Sequence, residues 1–179
     1  MPMTPLTPLH RDSLAQKLAL IAALGCLSLV LNFFERLLPI VLPIPGAKLG
    51  LANMVVLTAL YILPAKEALG VVFLKSLLAS LIFASLSAFL YSVAGSLLSF
   101  VVMLLMIRLG GDRFSEAGVS LTGGVFHNIG QLLIAAVIIQ TPAIFTYLPA
   151  LILTGAGTGL LTGMTVRLLL KHLRAAGVR

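Results

Sequence analysis

Charged side chains are scarce in this chain: they make up 9% of its 179 residues, whereas apolar residues make up 60%. A soluble domain needs roughly 25% charged residues to cover its surface with polar groups. The composition therefore excludes a soluble enzyme or a soluble binding domain, and it indicates that most of the surface faces lipid.

Cysteine occurs once, at Cys26, which excludes an intramolecular disulfide and a cysteine-based metal cage. Its neighbours Leu24, Gly25 and Leu27 suggest a small side chain in an apolar segment. That segment has no small-residue cleavage site followed by a soluble chain, so we expect it to remain in the protein rather than to act as a signal peptide.

The apolar residues form a series of runs separated by Pro, Gly and clustered charge. This pattern predicts an all-α, polytopic membrane protein with six transmembrane helices. The predicted spans are about 13–31, 49–63, 68–87, 97–107, 121–139 and 145–170. Residues 85–96 are interpreted as a turn region and 108–118 as a polar loop. The predicted domains are an N-terminal arm at 1–12, the six-helix transmembrane domain at 13–171 and a tail at 172–179.

The distribution of Lys and Arg predicts the orientation. The side that holds both termini receives nine of them in the six-span arrangement: Arg11, Lys17, Lys66, Arg108, Arg113, Arg167, Lys171, Arg174 and Arg179. The other side receives Arg36 and Lys48, and Lys75 lies within a span. Because cytoplasmic loops carry the excess of positive residues, we expect a multi-pass protein of a prokaryotic cell membrane with both termini in the cytoplasm. The same argument accounts for the net charge of +7 without a nucleic-acid partner.

Ionisable and amide side chains inside spans are the candidate binding residues, since each costs several kcal/mol in hydrocarbon. The candidates are Glu35, Arg36, Lys48, Asn53, Lys75, His127, Asn128 and Gln131. We expect them to line one cavity in the outer half of the bilayer, with Asn32, Gln140 and Tyr147 at its rim. Simpler roles remain open: Arg36 and Lys48 could extend to lipid headgroups, and His127 could be a hydrogen-bonded packing residue.

Small side chains recur every fourth residue in the first span, at Ala15, Ala19 and Ala23. Such a stripe lets another helix approach closely, either inside this chain or in another subunit. The run Gly155–Gly159 in the last span allows close helix contact or local unwinding. It lacks a following Lys-Ser or Lys-Thr pair, so it is not a phosphate-binding loop, and the chain contains no ATP-binding motif.

Three segments carry a resemblance to a known family: residues 45–53 (PGAKLGLAN), 74–76 (LKS) and 123–131 (GGVFHNIGQ). They resemble the Gx transporter family, which also carries the label heptaprenyl diphosphate synthase component I. Its members are similar to the substrate-binding S components of energy-coupling factor (ECF) transporters.

The resemblance implies a six-helix S-component-like fold with an extracytoplasmic substrate pocket, capped by the loop between the first two spans. It also implies that Ala15, Ala19 and Ala23 contact the transmembrane T component of an energising module. The synthase label does not imply catalysis by this chain, because prenyl diphosphate synthases bind magnesium and diphosphate with aspartate-rich helices. Here Asp12 and Asp112 are the only aspartates.

We therefore expect a non-enzymatic membrane subunit that captures a small or amphipathic anionic solute, such as a vitamin or an isoprenoid or quinone precursor. Arg36, Lys48 and Lys75 would pair with its carboxylate or phosphate. The expected partners are membrane lipid, the T component and separate ATPases, and no cofactor or metal is expected. The alternative is a non-catalytic membrane accessory of heptaprenyl diphosphate synthase.

Overall fold

The computed structural model describes residues 13–37, 50–83 and 86–176. Within these ranges the chain forms six α-helices and no strand, which confirms the predicted all-α class. The helices are α1 (Leu14–Leu37), α2 (Leu51–Ile62), α3 (Ala65–Phe83), α4 (Leu86–Gly110), α5 (Glu116–Ile139) and α6 (Leu148–Ala175). Short 3-10 helices at Gly111–Arg113 and Pro142–Tyr147 precede α5 and α6.

The ends of α5 show how local sequence sets the helix boundaries. Ser115 is the N-cap, and its hydroxyl accepts a hydrogen bond of 3.1 Å from the Gly118 amide. Gln140 ends the helix with a left-handed φ of 54°, and its amide donates to the Ala136 carbonyl. Pro142 then starts the next 3-10 helix.

Two predicted boundaries differ from the structure. α1 continues to Leu37, past the predicted end at residue 31, and α4 begins at Leu86, so that most of the predicted turn region is helix. The Ser and Gly residues there suggested a turn, but small residues in membrane helices also allow close packing. A methyl group built on Gly95 would lie 2.7 Å from the His127 carbonyl oxygen of α5.

The described residues expose many large apolar side chains, unlike a soluble domain, and bury polar side chains beside the apolar core. Leu81, Leu109, Val137 and Leu153 are 68–80% exposed. Buried polar side chains, by contrast, include Lys75, Ser76, Ser96, Ser99, Ser120, Asn128 and Thr162. This distribution matches a lipid environment, in which polar groups must find partners within the bundle.

Four helical segments of the described residues are long and apolar enough to cross a membrane: Leu14–Glu35, Phe89–Gly110, Glu116–Ile139 and Pro142–Ala175. The chain is therefore a multi-pass membrane bundle. α2 has 12 residues, which at 1.5 Å per residue give about 18 Å. α3 carries three charged residues, Lys66, Glu67 and Lys75. For these reasons the count of six full spans stays a prediction.

The helices form an arc with α2 on its inner side. α1, α3, α4, α5 and α6 follow one another round the arc, each in contact with the next, and α2 contacts all five. The two ends of the arc, α1 and α6, share no contact within the described ranges. Residues 55–62 of α2 are all buried, as expected for a helix enclosed by the others.

Glycines allow α5 and α6 to approach closely. A methyl group built on Gly155 would lie 2.7 Å from the Gly124 carbonyl oxygen, and one on Gly159 would lie 2.6 Å from that of Ser120. One turn further, a methyl on Gly163 would lie 2.6 Å from the Ala117 Cα. α6 is continuous through the glycine run, so close contact, rather than local unwinding, explains these residues.

Gly155→Ala should lower the stability of the bundle, because the new methyl group meets backbone that cannot move away independently. We expect a loss of about 1–3 kcal/mol, typical of overpacking. Gly157→Ala is a matched control on the same helix, since nothing lies within 4 Å of a methyl built there. It should be neutral or stabilising by up to about 1 kcal/mol. Thermal unfolding of both proteins in detergent tests this, and equal melting temperatures would contradict the proposed contact.

Candidate functional site

A cavity of about 710 Å³ lies on the inner side of the arc. It is lined by residues of all six helices and of the connection between α5 and α6. Its volume lies within the roughly 300–1,000 Å³ typical of small-molecule sites. Six of the eight predicted binding residues line it: Glu35, Asn53, Lys75, His127, Asn128 and Gln131. Lys48 and the side chain of Arg36 lie outside the part of the chain that the structure describes.

Lys75 projects from α3 towards α2. Its side chain is 6% exposed, and its Nζ donates a hydrogen bond of 2.6 Å to Asn53 Oδ1. A buried ammonium needs such partners, because removing it from water is costly. One partner of the buried Lys75 ammonium is thus an amide oxygen at the beginning of α2.

Glu35 joins the end of α1 to the beginning of α2. Its Oε1 accepts a hydrogen bond of 2.7 Å from the Gly50 amide. Gly50 is the N-cap of α2 with a φ of 75°, a conformation that favours glycine. A carboxylate at this position is stabilised by the partial positive charge of the helix N-terminus. One role of Glu35 is therefore to hold the beginning of α2 in place.

The polar residues of α5 differ in their contacts. Asn128 is 9% exposed and donates a hydrogen bond of 2.8 Å from Nδ2 to the Leu151 carbonyl of α6. This bond gives it a structural role in joining the two helices. His127 and Gln131 line the cavity where α5 packs against Gly95 of α4.

The predicted rim is found in part. Asn32 and Tyr147 line the cavity, whereas Gln140 is an exposed helix cap that does not. Asn32 Oδ1 is buried and has no hydrogen-bond partner among the described residues.

Hydroxyl side chains are the part of the lining that the sequence interpretation missed. The unpredicted members are Tyr91, Ser92, Ser120, Thr141, Thr146, Thr158 and Thr162. Ser92 bonds to Ser76 of α3 at 3.1 Å, and Ser120 bonds to Thr162 of α6 at 2.9 Å. The four-residue spacing of Thr154, Thr158 and Thr162 was a usable signal for one polar face of α6.

Ala15, Ala19 and Ala23 are all exposed on the outer surface of α1. They do not pack inside the described bundle, so their spacing is not explained by an internal helix contact. Exposed small side chains at this spacing would let a helix of another subunit approach closely. Cys26 is exposed on the same helix.

No group of three or more His, Cys, Asp or Glu side chains with metal-ligand geometry occurs within the described ranges. The cavity lining includes one carboxylate, Glu35, which already accepts a bond from Gly50. What the cavity offers a solute is a cation, amides, hydroxyls and an imidazole.

Comparison with protein families gives a match over residues 24–169 to the model described as heptaprenyl diphosphate synthase component I. Comparisons with curated proteins and with solved structures give no match. The matched range covers most of the chain, from the middle of α1 nearly to the end of α6, and includes Lys75 and the polar residues of α5. The chain therefore belongs to the heptaprenyl diphosphate synthase component I family.

Proposed function

We propose that the chain is a membrane subunit that captures a small or amphipathic anionic solute, in the manner of an ECF S component. The observation that carries the proposal is Lys75, a buried ammonium at the wall of a cavity of about 710 Å³. An ionisable residue within a membrane bundle that lines a cavity is a candidate functional residue by default.

The beginning of α2 adds to the attraction for an anion. Gly50, Ala52 and Asn53 line the cavity, so the N-terminus of α2 faces it. The helix dipole favours negative charge at such an end, where the Glu35 carboxylate already accepts a hydrogen bond from the Gly50 amide. With Lys75 bonded to Asn53, a carboxylate or phosphate placed here would meet a full and a partial positive charge together.

The rest of the lining suits an amphipathic molecule. The α5 side of the cavity lining has a polar part and an apolar part. The polar part is formed by His127, Asn128 and Gln131, and the apolar part by Leu132, Ala135 and Ile139. Ala143 and Ile144 continue the apolar wall in the connection to α6. A quinone or isoprenoid precursor with an acidic group has this combination of surfaces.

The basic residues support a cell-membrane protein with both termini in the cytoplasm. In the described ranges Lys17, Lys66, Arg108, Arg113, Arg167, Lys171 and Arg174 lie near the helix ends on the side of the termini. Lys17 pairs with Glu67 at 3.2 Å, which places the beginnings of α1 and α3 together. In this orientation the end of the cavity beside the connection between α5 and α6 faces the extracytoplasmic side of the membrane.

Lys75→Gln should abolish binding of anionic probes, because the amide keeps much of the side-chain length and removes the charge. Suitable probes are 4-hydroxybenzoate, biotin and geranyl diphosphate, with the thermal shift of the detergent-purified protein as readout. Lys66→Gln is the matched control, since Lys66 is exposed at the beginning of α3, about 14 Å along the helix from Lys75. Absence of a shift with every probe for a folded wild-type protein would remove support for an anionic solute.

The exposed alanine stripe is the proposed contact with a T component. Ala19→Leu should place a bulky side chain on the stripe and prevent co-purification with a T component and its ATPases, while probe binding stays unchanged. Leu18→Ala is a control at an exposed neighbouring position of α1. Retained co-purification with Ala19→Leu would show that the stripe is not the contact.

The family description favours a second candidate, a non-catalytic membrane accessory of heptaprenyl diphosphate synthase. This candidate predicts that adding the purified chain to the soluble synthase component changes its rate of prenyl chain elongation. Lys75→Gln should leave that change intact if the cavity has no part in it. A pull-down that recovers the synthase without ATPases would favour this candidate over transport.

A further inference from the structure

The cavity has a second polar region, separate from Lys75, where α5 packs against α6. Three hydroxyl side chains line it there: Ser120 of α5 and Thr158 and Thr162 of α6. Ser120 and Thr162 are each 6% exposed, and Thr158 is half-buried. These three side chains are called the hydroxyl cluster below.

Each hydroxyl of the cluster has already used its single hydrogen. Thr158 Oγ1 donates to the Thr154 carbonyl at 2.9 Å, and Thr162 Oγ1 donates to the Thr158 carbonyl at 3.0 Å. Because the Thr162 hydrogen is taken, Ser120 Oγ is the donor in the bond of 2.9 Å between Ser120 and Thr162. A hydroxyl has one hydrogen and two acceptor lone pairs. The cluster therefore presents only acceptor lone pairs to the cavity.

Contacts between α3, α4 and α5 give the level of Lys75 in the bundle. Ser76, the next residue on α3, bonds to Ser92 of α4 at 3.1 Å. Gly95 lies one turn further along α4, and a methyl group built on it would lie 2.8 Å from Gln131 Cγ of α5. Lys75 thus lies near the level of Gln131.

The hydroxyl cluster lies deeper in the bundle than Lys75, on the side of the chain termini. Gln131 and Ser120 are separated by about 16 Å along α5, at 1.5 Å per residue. The apolar part of the lining, which includes Leu132 and Ile139, lies beyond Gln131 in the other direction. From the connection between α5 and α6 inwards, the cavity therefore offers apolar side chains, then a cation, and then hydrogen-bond acceptors.

The acceptors of the hydroxyl cluster suit an uncharged donor. Hydroxyl lone pairs accept hydrogen bonds from the O–H or N–H groups of a solute. A buried ammonium would also need an anionic partner, and Glu35 is the one carboxylate among the described residues of the lining. Glu35 bonds to Gly50, at the end of α2 where Asn53 holds Lys75.

We propose that the hydroxyl cluster is a second subsite, which binds an uncharged O–H or N–H donor of the same solute whose acidic group pairs with Lys75. The inference rests on the proposed function, and it narrows the class of solute. The acidic group lies between an apolar part and a second polar end that carries the donor. An unsubstituted fatty acid or isoprenoid acid would leave the subsite unfilled.

Two pairs of rigid acids test the subsite, with isothermal titration calorimetry of the purified chain in lipid nanodiscs as the measurement. The long pair is biphenyl-4-carboxylate and its 4′-hydroxy derivative, and the short pair is benzoate and 4-hydroxybenzoate. Two rings with a hydrogen bond at each end reach from Lys75 to the hydroxyl cluster, whereas one ring does not. We expect the added hydroxyl to lower the Kd of the long acid about 3- to 10-fold, typical of one hydrogen bond, and to leave the short pair equal.

The double substitution Ser120→Ala and Thr158→Val should remove this preference, because it deletes two acceptors and leaves no donor of the protein unpaired. Thr162 keeps its bond to the backbone. Biphenyl-4-carboxylate should bind the double variant with its wild-type Kd. Thr165→Val is the matched control, since Thr165 donates to the Leu161 carbonyl in the same way but is exposed. If the double variant fails to fold, Thr158→Val alone replaces it and keeps the bond between Ser120 and Thr162.

The subsite and the proposed function fail in different ways. Equal affinity of the wild-type protein for both long acids, or an unchanged preference in the folded double variant, would overturn the subsite and leave capture of an anion standing. A preference in the short pair alone would place the donor site beside Lys75 and would also overturn the subsite. Absence of binding by all four acids to the folded wild-type protein, or unchanged binding with Lys75→Gln, would overturn both.

Discussion

The short length of α2 determines the rest of the architecture. The other five helices have 19 to 28 residues, whereas α2 has 12, and it alone occupies the inner side of the arc. It therefore fills the part of the interior on the side of the chain termini and leaves space beyond its N-terminus. In lipid, polar backbone at a helix end inside the bundle must be matched by polar groups or water. Glu35, Asn53 and Lys75 meet at this end for that reason.

Much of the fold could be predicted from hydropathy, because long apolar runs bounded by Pro, Gly and charge have few other structures available. The beginning of α4 was missed because Ser and Gly favour turns in water but close packing in membranes, as at Gly95. Six of the candidate residues were found to line the cavity, since charge and amide groups are costly elsewhere in a span. The hydrogen-bond partners of these candidate residues depend on how the helices are aligned with one another. For that reason neither the Asn128–Leu151 bond nor the Glu35–Gly50 bond has a signal in the sequence.

The family description and the cavity concern different aspects of the protein. The description names a component of a prenyl synthase, and the chain has only two aspartates for the metal-diphosphate chemistry of such an enzyme. The cavity has a cation at its wall and an apolar side, which are properties of a binding site. The proposed capture of an acidic, partly apolar molecule would use both the cation and the apolar side of the cavity.

The unequal helix lengths also determine how the protein fits its bilayer. α2 is screened from lipid by its neighbours, so its shortness does not require the membrane to become thinner around the protein. α6 is exposed to lipid, and its stretch from Leu148 to Arg167 is about 28 Å long, close to the thickness of a hydrocarbon core. Arg167, Lys171 and Arg174 follow over its last turns, all exposed. Basic residues at such a position favour contact with lipid phosphates, so we expect α6 to set how deeply the bundle sits in its bilayer.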